Sequence, residues 1–174
     1  MAAKQEPKAP PAERAQTAYQ QLSVAAKSLN AASDDLGKAI SVFDAALQKL
    51  NLGISAWVVI TGNRGNDLDW WSRSIGYTRV GNKWGIALKD ASGNYNWPED
   101  DSIEIWLFNE APRWLRIEAV GKIPDLLESL VEQAEETTKK IKARTKQAYE
   151  LAAAMSKVAE GTQQAEGKTD AHSA

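Results

Sequence analysis

Residues 70–91 read "WWSRSIGYTRVGNKWGIALKDA", two runs rich in β-branched and aromatic residues hinged on Gly81-Asn82. A two-residue connection with Gly first suits a type II′ turn, and a turn of that length fixes the register of the strands it joins. Counting outward from it, Val80 falls opposite Lys83, Arg79 opposite Trp84, Tyr77 opposite Ile86, Ile75 opposite Leu88 and Arg73 opposite Asp90. Side chains alternate along a strand. One face therefore carries Ile75, Tyr77, Trp84, Ile86 and Leu88, with an Arg79–Trp84 stack expected at one end and an Arg73–Asp90 pair at the other. The opposite face carries Ser74, Gly76, Thr78, Gly85 and Ala87, all small. The large face needs a core. The small face leaves room for a close approach or for water.

Working outward, "ISAWVVIT" (54–61) and "SIEIWLF" (102–108) show the same two-residue alternation, so the middle of the chain reads as a four-stranded antiparallel sheet. A sheet unit this small needs dense apolar content to hold a single core. A fully buried Trp removes about 150–250 Å² from water, worth roughly 4–6 kcal/mol. Trp57, Trp84 and Trp106 lie in strand interiors and are expected to supply that content. Trp70 and Trp71 are neighbours, point to opposite faces and cannot share one core. Trp97 sits in "SGNYNWPEDD", whose composition reads as a loop. Trp70, Trp71 and Trp97, with Arg73 and Arg79, form the expected protein-binding surface, because Trp and Arg dominate interface hot spots.

The flanks change period from two to seven. Between residues 12 and 52, Leu22, Leu29, Leu36, Phe43 and Leu50 recur every seven positions, followed three later by Ala25, Ala32, Ala39 and Ala46. Between 122 and 160, Leu127, Ala134, Ile141, Ala148 and Met155 recur likewise. Each ribbon is a heptad seam, and its alanines allow a partner helix to approach closely. Ile40, Leu47, Leu126 and Tyr149 widen the stripes toward further helices. The spacing predicts an antiparallel helical stalk that also serves as an oligomer seam. Between sheet and second helix, a short covering helix is expected from Asn109 as N-cap to Val120, presenting Trp114, Ile117 and Val120 to the sheet. Residues 1–11 and 161–174 read as polar tails, with Gly161 placed to stop the second helix.

The expected fold class is therefore α+β: two long antiparallel, coiled-coil-like helices at 12–52 and 122–160, flanking an inserted four-stranded antiparallel β-sheet with a short covering helix at 53–121. In helix order this resembles prefoldin-type chaperone subunits, which also insert hairpins between two long helices. The strand sequences carry no motif of that family, and none is assigned.

The formal net charge of −2 gives no global field for nucleic acid or an anionic membrane. There is no cysteine, and the one histidine, His172, lies in the polar tail. Thiol chemistry and Cys-ligated metal are thereby excluded, and a His base has no expected place in a site. "GNRGNDLD" (62–69) follows a strand but lacks phosphate-loop and EF-hand spacing. "PEDD" with Glu104 reads as surface acids rather than an acid–base pair. No cofactor, no metal and no catalytic group are expected, and the chain reads as no enzyme. The N-terminal residues lack an apolar signal core and no run reaches membrane-spanning length, so a cytoplasmic location without membrane contact is expected. The sequence points to a scaffold or assembly protein that forms a homo-oligomer through its stalk and meets a protein partner through its tip. Two alternatives are a holdase gripping apolar segments with the tip indoles, and a nucleic-acid accessory protein. The latter would use the helical basic run Lys139, Lys140, Lys142, Arg144 and Lys146 with neighbouring Trp and Arg side chains.

Overall fold

The computed structural model describes residues 10–63 and 68–166, with side chains described as far as Lys157. Its elements run α1 (Pro11–Leu50), β1 (Ala56–Asn63), β2 (Asp69–Val80), β3 (Lys83–Asn94), β4 (Trp97–Leu107), a 3-10 turn (Phe108–Glu110), α2 (Arg113–Ala119), a second 3-10 turn (Val120–Lys122) and α3 (Ile123–Glu166). The four strands form one antiparallel sheet in the order β1-β2-β3-β4. The fold is α+β.

The central hairpin has the register set by its turn: Val80 pairs with Lys83, Arg79 with Trp84, Tyr77 with Ile86, Ile75 with Leu88 and Arg73 with Asp90. Gly81 takes φ +58° while Asn82 keeps a negative φ, the signature of a turn with Gly at its first central position. The large face is the core face. Ile75, Tyr77, Ile86 and Leu88 are all buried there, joined by Ile40 and Leu47 of α1, Leu115 and Ala119 of α2, and Ile123, Leu126 and Leu130 of α3. Trp84 and Trp106 pack against this core as expected.

Trp57 does not. It pairs with Gly76 on the small face, where its indole covers that glycine so closely that a Cβ would fall 2.4 Å from the ring. Val58 and Ile60, at the alternating positions of β1, face the core in its place. Arg79 likewise departs from the expected stack. Its Nε donates to the Gly81 carbonyl at 3.2 Å, and Trp84 stacks on Tyr77 with ring centroids 5.6 Å apart.

The strands also run longer than their alternation showed. β4 begins at Trp97, with Pro98–Asp101 bulging between the pairs Asn94–Trp97 and Ser92–Ser102. At its other end β4 falls short of the hairpin tip, the last pair being Ala87–Leu107. The backbone of β3 beyond Ala87 would be an open edge. Asp44 and Gln48, one turn apart on α1, close it: Asp44 Oδ1 accepts the Ile86 N–H at 2.5 Å, and Gln48 Nε2 donates to the Trp84 carbonyl at 2.9 Å.

α1 ends where Asn51 adopts the left-handed conformation at φ 47°. Asn109 is not a helix cap. It lies in the first 3-10 turn and donates to the Gly37 carbonyl at 3.4 Å and to Ser41 Oγ at 3.2 Å, pinning the sheet exit to α1. α2 starts after Pro112 and buries Leu115 and Ala119, leaving Trp114, Ile117 and Val120 exposed. The stripe of spacing four prevailed over the stripe of spacing three, because Leu115 and Ala119 continue into the buried Ile123 and Leu126. Gly161 does not stop α3, which continues to Glu166. Of the expected tails, residues 1–9 and 167–174 lie outside the described residues, as do 64–67 of the loop "GNRGNDLD".

The long helices dock on the sheet over only part of their length. α1 contributes Gly37, Ile40 and Leu47, a stripe roughly a quarter-turn from the line through Leu36, Phe43 and Leu50. Residues 11–32 are exposed throughout, and so are 138–157. The ribbons do not close on each other there: Leu22 is 64%, Leu29 50%, Ile141 61% and Met155 74% exposed.

Candidate functional site

The indole and guanidinium groups gather at the end of the core face away from the β2–β3 turn. Arg73 projects from β2 on that face, one position beyond the last core residue, Ile75. Its guanidinium carbon lies 4.9 Å from the Trp71 ring centroid and 4.3 Å from that of Trp114, so the cation is held between two indoles. Two carboxylates flank it, Asp90 at 3.8 Å and Glu118 at 3.9 Å. These separations are long for ion pairs, and with the Arg73 side chain 30% exposed they contribute modestly. Trp71 is itself fixed by its backbone, whose N–H donates to Asn63 Oδ1 at 2.7 Å across the β1–β2 pair.

Beside this cluster is a cleft of about 280 Å³ lined by Asp90, Glu104, Trp106 and Trp114. Asp90 and Glu104 are direct cross-strand partners, a like-charge pair that costs stability unless cations are near. Arg73 serves Asp90 from the β2 side. The arrangement is an amphipathic patch of flat rings, one part-buried cation and an acidic notch, and its Trp and Arg are residue types enriched at the centre of protein–protein contacts.

Of the five residues expected to form a binding surface, the structure brings together Trp71 and Arg73. Trp97 is on the same face at the start of β4, paired with Asn94, and 59% exposed. Trp70 lies on the opposite face, its ring against Gly93 beside Asp101. Arg79 is at the far end of the hairpin, bonded to its own turn. Trp114, 42% exposed, belongs to the cluster and was missed by sequence reasoning, which assigned it to the sheet-covering stripe. A signal existed in the rival spacing Leu115–Ala119, which turns Trp114 outward.

The basic run on α3 is largely engaged with its own helix. Lys140 pairs with Glu136 at 2.6 Å, Lys146 lies 4.0 Å from Glu150, and Arg144 donates to Gln147 Oε1 at 2.8 Å. The hydrogen bond and charge of Lys140 hold the Glu136 carboxyl below its usual range. Lys139 and Lys142 are exposed on the same helix. No helix among the described residues is long and apolar enough to cross a membrane. Compared with known proteins, the chain matches no family model, no curated protein and no solved structure.

Proposed function

We propose that this chain is a non-enzymatic scaffold or assembly protein of the cytoplasm. It associates with copies of itself through the helical stalk and holds a protein partner against the indole patch of the sheet. The observation that carries the reading is the uncovered length of the two long helices. Residues 11–32 and 138–157 are exposed at every position, yet their apolar side chains keep a seven-residue spacing. A helix in water gains most of its stability from packing an apolar stripe. Leu22, Leu29, Ile141 and Met155 have no such packing within the chain. A second copy presenting the same ribbons supplies it, with alanines at the facing positions permitting close approach.

Sedimentation across a concentration series tests this. A dimer or larger species is expected at tens of micromolar (a rough figure from ordinary association affinities), and Leu22→Glu with Leu29→Glu should shift it to monomer while leaving the sheet's near-UV signal intact. A monomer at that concentration with full helical content would refute the reading. The partner-facing half is tested separately by Trp71→Ala and Trp114→Ala, which should abolish capture of the native partner without changing the oligomer. The engagement of Lys140, Arg144 and Lys146 by neighbours on α3 favours the scaffold over the nucleic-acid alternative.

A further inference from the structure

β4 ends at Leu107, short of the β2–β3 turn, and α1 arches over the gap. The gap is a cleft of about 600 Å³, within the size range of small-molecule sites. Its floor is Tyr77, only 2% exposed, stacked on Trp84. Among the described residues the Tyr77 hydroxyl makes no hydrogen bond, and it is open to the cleft. Asp44 lines the same space; burial first, and then the charge of Asp44, pushes the Tyr77 phenol up from its ordinary value. Asp44 Oδ1 is committed to the Ile86 N–H, leaving Oδ2 free, and no cation lies within 4.0 Å of it among the described residues. Gln48 uses one N–H on the Trp84 carbonyl, leaving its other N–H and its carbonyl oxygen uncommitted. Leu52, Leu107 and the Trp84 ring supply apolar walls.

Besides the Asp44 carboxylate, the lining carries the amides of Gln48, Asn51 and Asn82, the Tyr77 phenol and the Lys83 ammonium, with apolar walls around them. Asp44, the Gln48 carbonyl and the Tyr77 phenol together offer three acceptors, one of them anionic, to the three N–H donors of a primary ammonium group. An anion would meet Asp44 unfavourably, and a neutral apolar molecule would leave every one of these oxygens unpaired. Lys83, exposed and on a flexible stem, also lines the cleft and leaves room for one cationic group. We propose that the cleft between α1 and the free end of β3 binds a primary ammonium group carried on an apolar body, with Asp44 as its counter-ion and Tyr77 as a second hydrogen-bond partner. This site lies toward the β2–β3 turn, with Tyr77 four residues along β2 from Arg73 of the indole patch, and does not depend on oligomer formation.

The test is titration calorimetry on the full chain, read together with amide and indole chemical shifts, using phenethylammonium chloride as probe. Phenethyl alcohol and phenylpropanoate are the neutral and anionic isosteres, and N-acetyl-lysine methylamide stands in for a lysine side chain of a partner. The ammonium probe should bind with shifts at Ile86 and Trp84. Asp44→Asn, which retains an acceptor for the Ile86 N–H and so the fold, should weaken it by at least about tenfold, and Tyr77→Phe by about threefold or more. Binding by the small amine alone assigns a free ligand; binding by the lysine mimic alone assigns a partner's side chain. Equal binding of the alcohol, unchanged affinity in Asp44→Asn, or failure of both amines to bind would overturn the assignment.

Discussion

At the scale of single residues, Asp44 is a carboxyl placed at a cost. Burial raises its carboxyl from the ordinary 3.8, and the hydrogen bond from the Ile86 N–H offsets only part of that rise. A carboxyl with a raised folded-state pKa holds its proton more tightly folded than unfolded. Its effect on stability is therefore most favourable below the unfolded value and declines as pH climbs from there through the folded one, then levels off. An asparagine would make the same bond to β3 without the charge. Asp44→Asn is thus expected to be at least as stable as the wild type near pH 7, and its advantage should shrink toward zero on acidification below about pH 4. Paired thermal melts across that range check the prediction, and a wild type more stable than Asp44→Asn at neutral pH would contradict it. Acceptance of such a cost at one position is what a ligand site looks like in stability terms. The Trp71–Arg73–Trp114 cluster shows the complementary case, a cation whose surroundings are favourable but loosely engaged.

At the scale of elements, two glycines differ in kind, Gly76 within β2 and Gly121 in the second 3-10 turn. At Gly76 an added Cβ would lie 2.7 Å from the Ala56 carbonyl as well as against Trp57, and backbone cannot retreat as a side chain can. Gly76→Ala should therefore cost about 1–3 kcal/mol by separating β1 from β2. Gly121 has open space around its Cβ position and no positive φ, so Gly121→Ala should gain about 0.4–1 kcal/mol through the unfolded state. Urea denaturation of both variants distinguishes the two effects by sign. These elements also show what could be read beforehand. The β2–β3 register was legible because a two-residue turn leaves no freedom, and Ile75, Tyr77, Ile86 and Leu88 fell on the core face in consequence. The face of Trp57 was not legible, because nothing local to β1 announces that it alternates with Val58 and Ile60 and that the core takes those two instead. The turn of α2 was ambiguous for a similar reason: both Trp114–Ile117 and Leu115–Ala119 are helical spacings, and only contact with the sheet chooses between them. The site suffered from the same gap. Trp71 and Arg73 could be placed together from one strand, whereas Trp114 arrives from another element and Tyr77 reads simply as core.

At the scale of the whole molecule, the division is between a compact centre and two uncovered arms. The centre has its apolar stripes matched: Ile40 and Leu47 from α1 and Leu126 and Leu130 from α3 are all under a tenth exposed. The arms have none, since every residue of 11–32 and 138–157 faces solvent. A free helical segment of about that length in water frays with an opening free energy near zero, whereas core helix opens only with the whole domain. Hydrogen exchange on the full chain should therefore show residues 36–47 and 123–130 protected at any protein concentration. Protection of the arms should rise with concentration, because association is what covers Leu22, Leu29, Ile141 and Met155. Dilution should strip the arms first and leave the centre unchanged. Arms as protected as the centre under dilution would mean that they are stabilised within one chain. Arms unprotected at every concentration would mean that nothing covers the seam, and the role of the stalk as an assembly device would fall with it.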